Sequence, residues 1–245
     1  MQIVYHKYGQ LNSTNEKALQ MVVSGKAGEG MVLIADQQTQ GRGAGQNRWE
    51  SEPGKNLTFS IILEPVFIEP SQQFVLTEMV SLALFDVVKL RLGNKNLSLK
   101  WPNDLYFQDK KMAGILIQNR IKGDQLDFSV IGVGLNVNQK EFHSDAPNPA
   151  SLIHFSGKEE KLSLLLDEII KRLKFYYEKL KSDINSLKTI YLQRLYRINE
   201  WAEYEDSAGR FTAKITGVDS FGRLLLTDRQ GDLRVYGFKE IEYLI

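Results

Sequence analysis

The chain of 245 residues sets 31 lysines and arginines against 30 acidic residues, for a net charge of +1, and 42% of it is hydrophobic. These values exclude a disordered chain and allow a sizeable core, but they offer no electrostatic footprint for nucleic acid or membrane. The absence of cysteine excludes disulfide staples, cysteine nucleophiles and thiolate metal sites, and suits a reducing compartment.

Met1 to Tyr8 has neither a long apolar core nor a small-residue cleavage pattern, so no secretory signal is expected. No segment approaches the roughly 20 apolar residues that cross a bilayer. A soluble, cytoplasmic protein is the expectation.

Ser13-Thr14-Asn15-Glu16 has the form of a capping box, in which Ser13 caps a short helix running to Val23 and Glu16 reaches back. Met31 to Ala35 reads as a buried strand that leads through Gln38 to three alternating glycines, Gly41, Gly43 and Gly45. Loops at strand ends are where open α/β folds place their chemistry. This loop fails the phosphate-loop pattern, because no Lys-Ser or Lys-Thr ends it. It also fails the dinucleotide fingerprint, which needs a glycine at Gln46. It nevertheless gathers Gln38, Arg42, Asn47, Arg48 and Trp49, a set suited to an anion and a flat ring.

Leu57 to Leu63 reads as a strand ending at Pro65, and Ser71 as the cap of a long helix to about Arg91. Leu97 to Leu99 forms a strand entering Lys100-Trp101-Pro102-Asn103-Asp104. There Pro102 favours a rigid turn that presents Lys100, Asn103 and Asp104, with Trp101 in the core. Of the lysines that follow, one can reach a cleft while its neighbour points away, and Lys110 reads as the solvated one. Met112 to Ile117 and Phe128 to Val133 read as a strand pair joined through Gly123-Asp124. Gly132 and Gly134 leave room for something packed close to the backbone.

Helices are expected from Ser163 to Leu180 and from about Asn185 to Tyr196. After Ile198 five short strands alternate with turns: Trp201 to Tyr204, Phe211 to Val218, Arg223 to Leu226, Leu233 to Tyr236 and Ile241 to Leu244. That is a small all-β unit of about 45 residues, which has little core of its own and leans on the larger one. Trp201, Tyr204 and Phe211 read as core rather than as a stacking platform. The three histidines, His6, His143 and His154, are too scattered for zinc, and no Gly-x-Ser-x-Gly elbow or calcium-loop spacing occurs.

Taken together, Ser13-Thr14-Asn15, Gly41-Arg42-Gly43 through Trp49, Ser51-x-x-Gly54-x-Asn56-Leu57, Lys100-Trp-Pro-Asn-Asp104, Lys111-x-x-Gly114-Ile-Leu and Gly132-x-Gly134-x-Asn136 resemble the biotin–protein ligases, or holocarboxylase synthetases. The resemblance spans essentially the whole chain. It implies an α+β fold: a mixed β-sheet flanked by helices, like a class II synthetase, with a small SH3-like β-barrel. The implied boundaries are 1–198 for the biotin- and ATP-binding unit and 199–245 for the barrel.

The resemblance also implies the chemistry: biotin and ATP, with Mg2+, form biotinyl-AMP, and the biotinyl group passes to one lysine of a carboxylase's biotin carboxyl carrier domain. Ser13, Thr14 and Asn15 would line the biotin pocket and Gln38 would reach its ring. Gly41, Arg42, Gly43 and Trp49 would fold over the adenylate. Lys111 would be the essential lysine, with Arg42 and Asp104 beside the reacting phosphate and Asp104 also the metal-site candidate. Lys100, Asn103, Gly114, Gly134 and Asn136 complete the implied binding set. The chain departs from the family's Gly-Arg-Gly-Arg-x-Gly-Arg-x-Trp loop at Ala44, Gly45, Gln46 and Asn47, so two loop arginines are missing; Arg48 could restore some charge.

Dimerisation is common in the family. No helix-turn-helix precedes Ser13 here, so DNA binding is not expected. A lipoate–protein ligase and a non-catalytic biotin- or carrier-binding protein are the alternatives. Trp-Pro-Asn-Asp and Gln38 favour biotin, while Lys100 and Lys111 favour catalysis.

Overall fold

A computed structural model describes residues 1–45, 47–144 and 148–244. Seven strands build the larger sheet: β1 (Val4–Leu11), β2 (Met31–Gln38), β3 (Leu57–Leu63), β4 (Leu97–Lys100), β5 (Asp104–Phe107), β6 (Lys110–Lys122) and β7 (Gln125–Leu135). Their order is β1-β2-β3-β7-β6-β5-β4, with β1 parallel to β2 and every other neighbour antiparallel. The sheet is mixed, as expected. Its helices are α1 (Thr14–Val23), α2 (Phe74–Leu92), α3 (Leu152–Ser156), α4 (Leu162–Ser182) and α5 (Lys188–Leu192).

β3 is buried along its whole length because both faces of the sheet are covered there. Leu57, Phe59, Ile61 and Leu63 face the main core with α2, whereas Ile62 joins Ala18, Val22, Leu33 and Val130 under α1. The same face as Ile62 carries Thr58 and Ser60, two small buried hydroxyls on an otherwise apolar strand. α2 is apolar nearly all round since it is sandwiched between the sheet and α4, whose buried Leu165, Leu166, Ile169, Ile170, Leu173, Tyr176, Tyr177 and Leu180 keep helical spacing.

The second sheet consists of β8 (Trp201–Asp206), β9 (Gly209–Val218), β10 (Leu224–Asp228), β11 (Leu233–Tyr236) and β12 (Glu242–Tyr243), in the order β11-β10-β9-β8-β12. Among the described residues β11 and β12 remain its edges. β11 and β12 do not pair with each other, so the described sheet is open rather than a closed barrel. It leans on the larger unit, as expected: Trp101 Nε1 donates to Gly222 O at 2.8 Å and Arg197 to Leu244 O at 3.0 Å.

Several local expectations change. Ser13 does cap α1, but the Glu16 carboxylate does not reach back; it faces Arg42 instead. Ser71 lies inside a short 3-10 turn, Pro70–Gln72, and its hydroxyl approaches Glu69, so α2 starts at Phe74 without a side-chain cap. The helix expected from Asn185 to Tyr196 shrinks to Lys188–Leu192, because the chain then bonds to β4 (Leu99 N to Arg194 O, Tyr196 N to Leu99 O). Tyr204 is buried, but Trp201 is 41% exposed, its ring covered by Lys214 and Arg229. β1, β5 and α3 carry no clear sequence pattern and were not expected.

Candidate active site

One cavity of about 560 Å3 opens where β2, β5, β6 and β7 meet the N-terminus of α1, the glycine-rich loop and the last residues of the chain. That volume suits a small organic ligand.

Its floor is a cross-strand row. Lys100 pairs with Asp104, Asp104 with Gly114, Gly114 with Gly134 and Gly134 with Thr58, across β4, β5, β6, β7 and β3. Two adjacent glycines leave a flat patch, and the Trp49 indole lies on it: a β-carbon at Gly134 would overlap the ring, and one at Gly114 would stand 3.2 Å from it. The indole N–H is buried with no partner, an unspent donor inside the cavity. One row along, Gly132 makes the same allowance for Asn15. The space expected beside these glycines is thus filled by the protein's own side chains.

Lys111 reaches the cavity through a defect in pairing. Opposite β5 the register slips between Leu105 and Tyr106, so that Ala113 faces Leu105 but Lys111 faces Tyr106. The bulge at Met112 puts Lys111, rather than Lys110, on the side of Gly114 and Asp104. Lys111 Nζ stands 2.7 Å from Asp104 Oδ1, with side-chain exposures of 26% and 17%. Burial pushes the Asp104 carboxyl above its ordinary range, and the charges of Lys111 and Lys100 pull it back. Lys110 is exposed, as expected.

Lys100 sits between two rings, with Nζ 4.9 Å from the Tyr106 centroid and 4.8 Å from that of Tyr243. Burial lowers its pKa, opposed by Asp104 and Glu242 and aided by Lys111 and Arg197. Asn103 bonds through both its backbone carbonyl and its amide nitrogen to β6 at Ile115, so it fixes the turn that precedes Asp104.

At the other end, Gln38 Oε1 accepts from Thr14 N at 2.7 Å and from the Thr14 hydroxyl at 3.2 Å. This fixes the amide with its NH2 group toward Gly41. Ser60 Oγ lies 2.7 Å from Thr14 Oγ1 and 2.6 Å from Asn15 Oδ1, while Asn15 Nδ2 donates to Leu116 O and Gln118 Oε1. Asn15 therefore spends its polar atoms on the protein, holding α1 to β3 and β6. Ser13 lines the cavity as the helix cap.

The glycine-rich loop is a tight hairpin. Trp49 N donates to Gly41 O at 2.9 Å, Gly43 N to Asn47 O at 2.8 Å, and Arg42 pairs with Arg48. Gly41 is required because a side chain there would strike the Trp49 carbonyl. The backbone N–H groups of Gly43, Asn47 and Trp49 are used inside the hairpin, so those three are not the anion cradle that the glycine pattern invites. Gln46 lies outside the described residues. Arg42, 59% exposed, rests 3.7 Å from Glu16 at the mouth.

Ser13, Thr14, Asn15, Gln38, Arg42, Gly43, Trp49, Lys100, Asn103, Asp104, Lys111, Gly114 and Gly134 all line this cavity. Gly41 and Asn136 do not: Gly41 packs against the Trp49 carbonyl within the hairpin, and Asn136 bonds Met112 O and Ala150 O beneath β6. Sequence reasoning missed Tyr106, Asn148 and the stretch Phe238, Lys239, Ile241 to Leu244. Tyr106 follows Asp104 at the strand period of two and was detectable on that ground; the C-terminal residues arrive through tertiary packing alone. Among the described residues no group of three histidines or carboxylates could hold a metal ion, and no helix is long and apolar enough to cross a membrane.

Comparison with known proteins places this geometry. The profile of the biotin/lipoate A/B protein ligase family matches residues 8–136. The bifunctional ligase/repressor BirA of Bacillus spizizenii is 28% identical over 234 residues, covering 94% of this chain and 71% of that protein. The biotin–[acetyl-CoA-carboxylase] ligase of Mycobacterium tuberculosis is 28% identical over 220 residues, 89% of this chain and 80% of its own. The structure of the Aquifex aeolicus biotin protein ligase in complex with biotin and ATP superimposes with a TM-score of 0.80, at 26% identity and 97% coverage of both chains.

Proposed function

The chain belongs to the biotin/lipoate A/B protein ligase family, and from that premise we propose that it is an ATP-dependent biotin–protein ligase acting on the biotin carboxyl carrier domain of a carboxylase. The observation that carries the reading is the polarity of the cavity described above. An amide fixed on Thr14 (Gln38) stands at one end and the cations Lys111 and Lys100 stand at the other, with the Trp49 indole on Gly114 and Gly134 between them and Arg42 beside Glu16 at the mouth.

The ureido ring of biotin offers one carbonyl and two N–H groups, and a buried site must satisfy them all. Thr14, Ser13 and the Gln38 NH2 group supply hydroxyls and a donor at that end. Lipoate's dithiolane has no such groups, so the same residues favour biotin over lipoate. In the first step a biotin carboxylate oxygen forms a bond to the α-phosphorus of ATP while the bond from that phosphorus to the bridging oxygen breaks, releasing pyrophosphate. No general base is needed, because the carboxylate is already ionised. Lys111 and Arg42 would stabilise the charge gathering on the phosphate. Asp104 keeps the Lys111 ammonium oriented meanwhile.

Magnesium would enter with the nucleotide, held mainly by its phosphates, and Asp104, one of two carboxylates lining the cavity with Glu242, could complete its shell; it would supply charge neutralisation. Trp49 and the hairpin then cover the mixed anhydride and exclude water. In the second step the carrier lysine's amine attacks the biotinyl carbonyl, an amide forms, AMP leaves with the bonding pair, and the amine gives up its proton. Asp104, its pKa raised by burial, is the nearest candidate to accept it.

We assign residues 1–198 to the ligand-binding unit and 199–245 to a small β unit that closes one wall of its cavity, in a cytoplasmic enzyme. Incubation with ATP, labelled biotin and a carboxylase carrier domain tests the reading. Label on the carrier lysine supports it; tight biotin binding with no labelled carrier would favour a binding protein, and lipoate transfer would favour the sister activity.

A further inference from the structure

The cations around the cavity differ in what holds them. Lys111 is committed to Asp104, Arg42 stands over Glu16, and Lys100 is enclosed by two tyrosine rings. Lys239 and Arg48 are in no ion pair among the described residues, and the Lys239 Nζ lies 5.7 Å from the Phe238 ring centroid. Lys239 is exposed and lines the cavity from the turn before β12. The adjacent Glu240 is turned away, accepting from Gly237 N.

The Lys239 side chain extends to the tip of the glycine-rich hairpin. A β-carbon built on Gly45 would stand 2.6 Å from its Nζ, and Gly45 is the tip residue next to Ala44. Lys239 itself has φ of +67°, a left-handed conformation that costs a side-chain-bearing residue roughly 1 kcal/mol or more. Its ammonium thus lies at the hairpin tip beside Gly45 and Ala44, a stretch with no charge of its own between Arg42 and Arg48.

Resting on the ligase reading, we propose that Lys239 is a nucleotide-binding residue of this chain, its ammonium engaging the polyphosphate of the nucleoside triphosphate at the hairpin tip. The C-terminal sheet would then add a cation at the hairpin tip, and nucleotide binding would draw the two together.

Biotin-dependent exchange of labelled pyrophosphate into ATP tests this with Lys239→Gln, Lys239→Arg and Lys239→Gly, each checked by thermal melting. The expected result is a KM for ATP raised about tenfold in the Gln and Gly variants, the loss of one charge-assisted hydrogen bond. KM for biotin should stay within about twofold and Lys239→Arg near the parent, since the charge is what matters. The Gly variant should also melt higher, its backbone strain relieved. An unchanged KM for ATP in both neutral variants would overturn the proposal, as would an equal rise in KM for biotin, which marks a collapsed loop. Absence of exchange in the parent protein would overturn the ligase reading itself.

Discussion

The Trp49 indole rests on Gly134, in the space where any other residue would carry its β-carbon. The register of three strands makes this contact possible, since Gly134 is paired with Gly114 on one side and Thr58 on the other. Gly134→Ala should therefore expel the ring and lift the hairpin. Overpacking of this kind costs about 1–3 kcal/mol. We expect a modest fall in melting temperature and at least a tenfold faster escape of biotinyl-AMP, measured as release of the labelled adenylate. Release at the parent rate would mean that Trp49 is no lid.

Gln38 and Thr14 define the neutral end. Gln38→Ala removes the acceptor of Thr14 N and the amide of a residue that lines the cavity. Biotin binding should weaken by about ten- to a hundredfold, the range for an unsatisfied buried group. Nucleotide binding should be unaffected. Calorimetry with each ligand separately checks the split, and equal losses for both would contradict it.

Glu78 gives a pH signature unrelated to the site. It is 4% exposed on α2, and burial raises its pKa from 4.5 to about 7, against the pull of Lys188. Between those values the folded chain binds a proton that the unfolded chain has lost, so stability falls as pH rises from about 4.5 to 7, by on the order of 3 kcal/mol. Glu78→Gln should flatten this slope in urea unfolding at pH 5, 6 and 7. Parallel curves for the two proteins would show that Glu78 ionises freely.

Much of this arrangement is legible in the sequence, for identifiable reasons. α1, β3, α4 and the β6–β7 pair follow from caps, apolar runs and a Gly-Asp turn. The choice of Lys111 over Lys110 is not readable from alternation: even positions of β6 would face Gly114, and only the bulge at Met112 exchanges them. The family resemblance supplied that choice, and the bulge gives its cause. Glu16 completes a capping box on paper, but its carboxylate lies 3.7 Å from the Arg42 guanidinium instead. Tyr243, Glu242 and Lys239 are invisible as site residues because their place depends on how the second sheet docks, through Trp101 and Gly222 among others.

The account centres on Lys111, and its pairing with Asp104 dictates how it must be tested. Lys111→Ala leaves a largely buried carboxylate without its cation, at a cost of about 1–3 kcal/mol after allowing for partial exposure. The double variant Lys111→Ala, Asp104→Asn removes both charges and should regain most of that stability. The decisive measurement is formation of biotinyl-AMP from labelled ATP by the parent protein and by both variants, with folding verified by circular dichroism. Adenylate is expected from the parent and essentially none from either variant, including the restabilised one. Near-normal adenylate formation by the folded double variant would contradict it.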